Sequence, residues 1–123
     1  MSIKHHIILL AHGSSDSRWC DTFETLAEPT TTAIENASIA YMELAEPSLD
    51  AIVAEHTAKG VDTFTVVPLF LAAGRHLRKD VPAMIDRLEA EHNVRISLSD
   101  PIGMNPKLGL AIRDVVQEEL DRA

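Results

Sequence analysis

The sequence has little cysteine, fewer basic than acidic residues and no long apolar run, and each shortage excludes a class of protein. Its one cysteine, Cys20, permits neither an intrachain disulfide nor a cysteine cage around a structural metal, and it favours a reducing cytoplasm. A formal net charge of -8 argues against nucleic acid as a partner. The apolar run 7–11 is too short for a signal peptide or a membrane span, so we expect a cytoplasmic protein without a membrane partner.

The sequence does contain an alternation of apolar strands and amphipathic helices, within the length of one domain, 1–123. Two continuous apolar segments are typical of strands in a parallel sheet covered on both faces, and two weaker strands accompany them. The predicted strands are 7–11, 39–44, 63–71 and 94–98, and the predicted helices are 17–36, 47–60, 79–92 and 106–120. This order predicts an α/β fold with a four-stranded parallel sheet and helices on both faces, a flavodoxin-like three-layer sandwich.

Three local features carry specific expectations. Pro29, followed by three threonines, should kink or split the first helix because proline cannot donate a helical hydrogen bond. His5 and His6 are expected at the surface, since they begin a strand. The last helix has an apolar stripe that we expect to face inward: Leu108, Ala111, Ile112, Val115 and Val116.

Polar and ionisable residues collect where the predicted strands end. In open parallel sheets the ligand site lies beyond the carboxyl ends of the strands, so these residues should share one rim. The candidates are His12, Gly13, Ser14, Ser15 and Asp16 after the first strand, Glu43 and Glu46 at the second, Gly74, Arg75, His76, Arg78 and Lys79 after the third, and Asp100, Pro101 and Gly103 after the fourth.

Two histidines and a carboxylate on one rim predict a divalent-metal site. Imidazole and carboxylate together suit iron, cobalt, nickel or zinc. Two or three such ligands without a thiolate describe an open site, from which an ion can be released. Neutral imidazole can also accept a proton near pH 7. Around His76, the side chains of Arg75, Arg78 and Lys79 form a basic cluster, and the predicted start of the third helix at Lys79 would add a favourable potential for anions.

Four segments together resemble the class II sirohydrochlorin chelatases, most closely their short, single-domain cobaltochelatase/ferrochelatase form. They are AHGSSD at 11–16, YMELAEPS at 41–48, PLFLAAGRH at 68–76 and DVP at 80–82, in the order of that family and across nearly the whole chain. Each segment alone is weak, whereas the four together are specific. Pro29 and the threonines after it depart from the regular helix expected there.

The resemblance implies a chelatase-like fold and an ATP-independent insertion of a divalent metal into sirohydrochlorin. His12 and His76 would bind the metal and take up pyrrole protons, and Glu43 would assist. The metal, Co²⁺ before Fe²⁺ or Ni²⁺, is a substrate, and no permanently bound cofactor is expected. The resemblance also implies a homodimer, since longer members place two such domains across a cleft.

Sirohydrochlorin carries eight carboxylates, so the basic cluster could hold some of them through charge-assisted hydrogen bonds. The candidate substrate-binding residues are Ser14, Ser15, Arg18, Arg75 and Lys79, although turn formation also explains the two serines.

Two alternative functions stay open. A non-catalytic metal or tetrapyrrole carrier would share the fold and bind without turnover. A flavodoxin-like phosphate-binding or hydrolytic domain would need a glycine-rich phosphate loop or an acidic nucleophile after the first strand, for which the 12–16 segment is a poor substitute.

Overall fold

The protein is a single sheet of four parallel strands with helices on both faces, which confirms the predicted fold class. A computed structural model describes residues 4–122, and of His76 it describes only the backbone. The strands are β1 (His5–Ala11), β2 (Ala37–Tyr41), β3 (Thr63–Pro68) and β4 (Arg95–Leu98), in the spatial order β2-β1-β3-β4. The helices are α1 (Ser17–Ala33), α2 (Leu49–Ala58), α3 (Val81–His92) and α4 (Pro106–Arg122), with a π-helical turn (His76–Asp80) before α3 and a 3-10 turn (Ile102–Met104) before α4.

One face of the sheet forms the core against α2 and α3. Residues alternate between faces along a strand, so Ile8 and Leu10 of β1 point to the same side as Phe64 and Val66 of β3. All four are fully buried. They pack with the apolar stripes of the two helices, whose most buried members are Leu49, Ile52, Val53, Val81, Ile85 and Leu88. Burial of these side chains supplies most of the driving force for folding.

Capping residues set the boundaries of α2 and α3, and α2 is shorter at both ends than the predicted helix 47–60. The Ser48 hydroxyl accepts a hydrogen bond from the Ala51 N–H at 3.1 Å, which satisfies one of the free donors at the start of α2. Gly60, at φ +95°, follows its end. Asn93 adopts the left-handed conformation at φ 54° and ends α3.

The helix α1 is not split at Pro29. It runs from Ser17 through Pro29 to Ala33, where the Ile34 N–H donates to the Thr30 carbonyl at 2.8 Å. Proline removes one helical hydrogen bond, and here its ring is exposed, so the helix tolerates it. This helix lies on the second face of the sheet, where the buried Tyr41 hydroxyl donates to the Cys20 carbonyl at 3.2 Å.

The inward-facing stripe predicted for the last helix is wrong. In α4 no residue is buried, and Ile112, Val115 and Val116 expose 57%, 55% and 54% of their surface. The second face of the sheet is correspondingly open over β3 and β4, where Thr65 is half-buried and Ser97 exposed. The apolar period correctly predicted a helix here, but no described part of this chain covers the apolar stripe.

The expectation that His5 and His6 are both at the surface holds only for His5. His6 is 4% exposed, its ring stacks on that of His56 with centroids 3.8 Å apart, and its Nε2 lies 2.8 Å from the Ser38 hydroxyl. Burial, followed by the nearby His56, lowers the pKa of His6 to about 4. No described helix is both long and apolar enough to cross a membrane.

Candidate functional site

The imidazole of His12 and the carboxylate of Glu43 meet at the carboxyl ends of β1 and β2. His12 Nε2 lies 3.1 Å from Glu43 Oε1, and the two side chains are 44% and 50% exposed. The backbone ladder between the strands continues into these loops: the Met42 N–H donates to the Ala11 carbonyl at 3.0 Å, and the Glu43 N–H to the His12 carbonyl at 3.2 Å. The parallel pairing of the two strands therefore brings together two residues that are distant in sequence.

Gly13 permits this close approach. Its φ is +102°, which side-chain-bearing residues rarely adopt, and a Cβ at this position would lie 1.8 Å from the Glu43 carbonyl oxygen. A larger residue would therefore push apart the loops that carry His12 and Glu43.

A small cavity of about 160 Å³ opens beside the imidazole. The Phe70 ring lies beside His12, with ring centroids 6.2 Å apart and planes tilted by 49°. The lining residues come from the ends of β1 and β3 and from the turn before α3: His12, Phe70, Ala72, Gly74, Arg75 and Leu77. The cavity gives His12 one apolar wall, and it is too small to enclose a macrocycle.

The backbone places His76 at the same edge of the sheet as His12, because it is the first residue of the π-helical turn that follows the carboxyl end of β3. Its side chain lies outside the described residues, so its predicted role as metal ligand and proton acceptor stays a prediction. Among the described side chains, no group of three or more histidine, cysteine, aspartate and glutamate residues is placed to hold a metal. The described part of the site is therefore a histidine and a carboxylate, open to solvent.

Two of the residues proposed after β1 for substrate binding, Ser14 and Arg18, have local roles. The Ser14 hydroxyl accepts from the Asp16 N–H at 3.0 Å, which stabilises the turn, while Ser15 is exposed. Arg18 donates to Asp16 through Nε at 3.2 Å and through a terminal nitrogen at 2.9 Å. This hydrogen bonding from Arg18 lowers the pKa of the Asp16 carboxyl. To hold a substrate carboxylate, Arg18 would have to exchange this partner.

The basic side chains after β3 are exposed at the rim. Arg75 lines the cavity beside His12, and Arg78 and Lys79 follow it in the π-helical turn. The expectation that Lys79 begins the helix is wrong, because helical backbone already starts at His76 and the Arg78 N–H donates to the Gly74 carbonyl. The free backbone N–H groups that attract anions therefore belong to the start of the π-helical turn, near His76, and not to Lys79.

A larger hollow of about 460 Å³ lies at the opposite edge of the sheet, at the amino ends of β3 and β4. It is lined by Asp62, Thr63, Asn93, Val94 and Arg95. This lining contains no histidine, and ligand sites of parallel sheets lie at the carboxyl ends of the strands. Chemistry and topology thus favour the smaller cavity beside His12.

One contributor to the site, Phe70, was not singled out from the sequence, and the role of another, Gly13, was not recognised. Phe70 was assigned to the third strand, but β3 ends at Pro68, so Phe70 lies in the loop beside His12. The proline within that apolar run could have signalled the strand end. The role of Gly13 depends on the position of Glu43, which no local pattern reveals.

Comparison with known proteins gives a consistent result. Residues 6–119 match the family model CbiX. The relatives include the sirohydrochlorin cobaltochelatases of Sulfurisphaera tokodaii and Sulfolobus acidocaldarius, each 28% identical to this chain. The match with the first covers 93% of this chain and 92% of the relative, and the match with the second covers 95% and 90%.

Solved structures agree with this assignment. A CbiX protein from Marinobacter aquaeolei is 76% identical with a TM-score of 0.93, and the match covers 96% of each chain. SirB from Bacillus subtilis with Fe³⁺ is 27% identical with a TM-score of 0.81, over 91% of this chain and 46% of that one. This chain thus spans about half of SirB. The family match over almost the entire length, on the predicted fold and with the four motifs in order, establishes that the chain belongs to the CbiX family.

Proposed function

We propose that this protein is a chelatase that inserts a divalent metal ion, Co²⁺ in the first instance, into sirohydrochlorin. The observation that carries the proposal is the His12–Glu43 pair, a nitrogen and an oxygen donor 3.1 Å apart on an open rim. The names of the archaeal relatives supply the substrate class. Because cobaltochelatase is the activity they are named for, we place the reaction in cobalamin biosynthesis rather than in siroheme synthesis.

The incoming metal is held between His12 and Glu43, with His76 as a further ligand. Two or three protein donors leave coordination positions for the macrocycle nitrogens. Half-exposed side chains let the ion reach the site from solvent and leave it again. A site with such a small donor set binds metal weakly enough to transfer it, and so it suits a substrate ion.

Insertion releases two protons from the pyrrole nitrogens as two metal–nitrogen bonds replace two N–H bonds. His12 accepts one of them once the metal has left its nitrogen, and Glu43, hydrogen-bonded to the resulting imidazolium, stabilises the positive charge. His76 accepts the second. Both pass the protons to solvent, and the proposed reaction proceeds without ATP.

The carboxylates of the substrate are held by basic residues at the edge of the rim. Arg75 lines the same cavity as His12, and Lys79 lies one turn further along. Ser14, Ser15 and Arg18 complete this set on the β1 side. The net charge of -8 would otherwise repel a polyanion, so the local cations are needed for binding.

We further propose that the protein acts as a homodimer in the cytoplasm. The support is the apolar stripe of α4, which has no partner among the described residues, together with the open face over β3 and β4 in the same chain. Two copies can cover both surfaces reciprocally in a symmetric pair. The acidic charge gives no basis for a nucleic-acid partner.

The test is anaerobic metallation of sirohydrochlorin with Co²⁺, Fe²⁺ or Ni²⁺, followed by visible absorption against a protein-free control. Wild-type protein should accelerate insertion, whereas His12→Ala and His76→Ala should each lower kcat/KM by about 100-fold or more. His92→Ala, at the opposite end of α3, is the matched control and should retain activity. Binding without acceleration by folded protein would overturn the enzyme and establish a carrier.

A further inference from the structure

Two exposed leucines adjoin the residues that contact His12. Leu44 follows Glu43, which pairs with the imidazole, and Leu71 follows Phe70, whose ring lies beside it. Leu44 is 67% exposed and Leu71 is 77% exposed. Both belong to loops at the carboxyl ends of strands, so two apolar side chains lie on the rim that carries His12.

The backbone of Leu44 is held in an unfavourable conformation. Its φ is 62°, in the left-handed region that suits glycine or asparagine and is costly for a bulky residue. Hydrogen bonds fix the loop on both sides: the Glu43 N–H donates to the His12 carbonyl, and the Tyr41 N–H donates to the Pro47 carbonyl at 2.9 Å. An exposed leucine in such a position contributes little to packing, so its presence requires an explanation outside the fold.

The loop that carries Leu71 is held just as closely. The Gly103 N–H donates to the Phe70 carbonyl at 2.9 Å, and a Cβ on Gly103 would lie 1.8 Å from the Leu71 carbonyl oxygen. The backbone of Leu71 is therefore pinned against the loop after β4 while its side chain remains in solvent.

We propose that Leu44 and Leu71 form an apolar platform that contacts the flat face of the tetrapyrrole and positions its nitrogens over His12. The inference rests on the proposed chelatase function. A tetrapyrrole has an apolar conjugated face and a charged periphery, so binding it requires apolar contacts near the metal and cations further out. The exposed leucines supply the first, and Arg75 and Lys79 the second. Burying each leucine side chain against the macrocycle contributes about a ten-fold gain in affinity.

The test compares Leu44→Asn, Leu71→Asn and the double variant with wild type. Asparagine tolerates the left-handed backbone, so Leu44→Asn should fold normally. The dissociation constant for metal-free sirohydrochlorin, measured by quenching of its fluorescence, should rise about ten-fold in each single variant and more in the double variant. Co²⁺ binding in the absence of macrocycle should not change. Leu44→Met, which keeps an apolar side chain, should restore affinity.

Leu26→Asn is the matched control, since Leu26 is 68% exposed but lies on α1, and its macrocycle affinity should equal that of wild type. Unchanged affinity in the double variant, with active wild type, would overturn the platform and leave the chelatase function intact. If the double variant dissociates into monomers while its macrocycle affinity is unchanged, the leucines belong to a subunit interface instead. Wild type that neither binds nor metallates sirohydrochlorin would overturn the function and the platform together.

Discussion

His12 Nε2 and Glu43 Oε1 lie 3.1 Å apart because two parallel strands end at one edge of the sheet and a glycine allows their loops to touch. Neither side chain is buried, so this pair does little for stability. Its geometry suits the transfer of a metal ion and of protons.

Replacing Glu43 with glutamine should weaken metal binding. Glutamine keeps the size of the side chain but removes the negative charge that attracts the ion and stabilises a protonated His12. Cobalt affinity, titrated by visible absorption, should fall about 10- to 100-fold. Glu46→Gln changes an exposed carboxylate in the same loop and is the matched control. Equal losses in both variants would indicate a general electrostatic effect rather than a specific ligand.

Adding one methyl group at Gly13 should damage both the fold and the site. A Cβ there lies 1.8 Å from the Glu43 carbonyl oxygen, and the φ of +102° is unfavourable for alanine. Gly13→Ala should lower the free energy of unfolding by about 2 kcal/mol or more and slow metallation. Gly74→Ala should leave the free energy of unfolding unchanged, because a Cβ at Gly74 has no atom within 4 Å. Urea unfolding measures the stability and initial rates measure the metallation. Equal free energies of unfolding for Gly13→Ala and Gly74→Ala would contradict the close approach of Gly13 to Glu43.

A charge on the apolar stripe of α4 should dissociate the homodimer. Val115→Asp puts a carboxylate in the middle of the stripe, and the dimer dissociation constant from analytical ultracentrifugation should rise at least about ten-fold, since a charge is costly to bury. Leu110→Asp changes a residue on the same helix that is 52% exposed and lies off the stripe, so the dimer should persist. If wild type sediments as a monomer, the proposal that α4 lies at a subunit interface is wrong.

Stability should decrease as the pH falls from about 6.5 to about 4, because of His6. Its pKa in the folded protein is about 4, below the usual 6.5, so between these values the unfolded chain binds a proton that the folded protein excludes. The contribution is complete above pH 6.5 and amounts to at most about 3 kcal/mol. His56, which stacks on His6, and Glu55 act on the same group.

The measurement is urea unfolding across this pH range for wild type and His6→Phe. The variant cannot titrate at this position, so its stability should fall less steeply between pH 6.5 and 4. Above pH 6.5 the two curves should run parallel, which serves as the internal control. Equal slopes throughout the acid range would show that another group dominates the acid sensitivity.

Much of the candidate site could be read from the sequence, since a parallel sheet places the ends of its strands on one edge. That rule selected His12 and Glu43, and the structure brings them together. The prediction of where each strand ends was less accurate, because local patterns are ambiguous there. The apolar run of the third strand continues past Pro68, so Phe70 was assigned to a strand although it lies in the loop beside His12.

The sequence by itself determined the periods of apolar residues, the caps and the turn residues, because these depend on contacts between near neighbours in the chain. It therefore predicted the order of strands and helices, the end of α3 at residue 92 and the rim that carries His12. Only the tertiary structure decided which apolar faces are covered. The stripe of α4 remains exposed and His6 is buried, since burial depends on which distant segments meet, and a period in the sequence does not specify the partner.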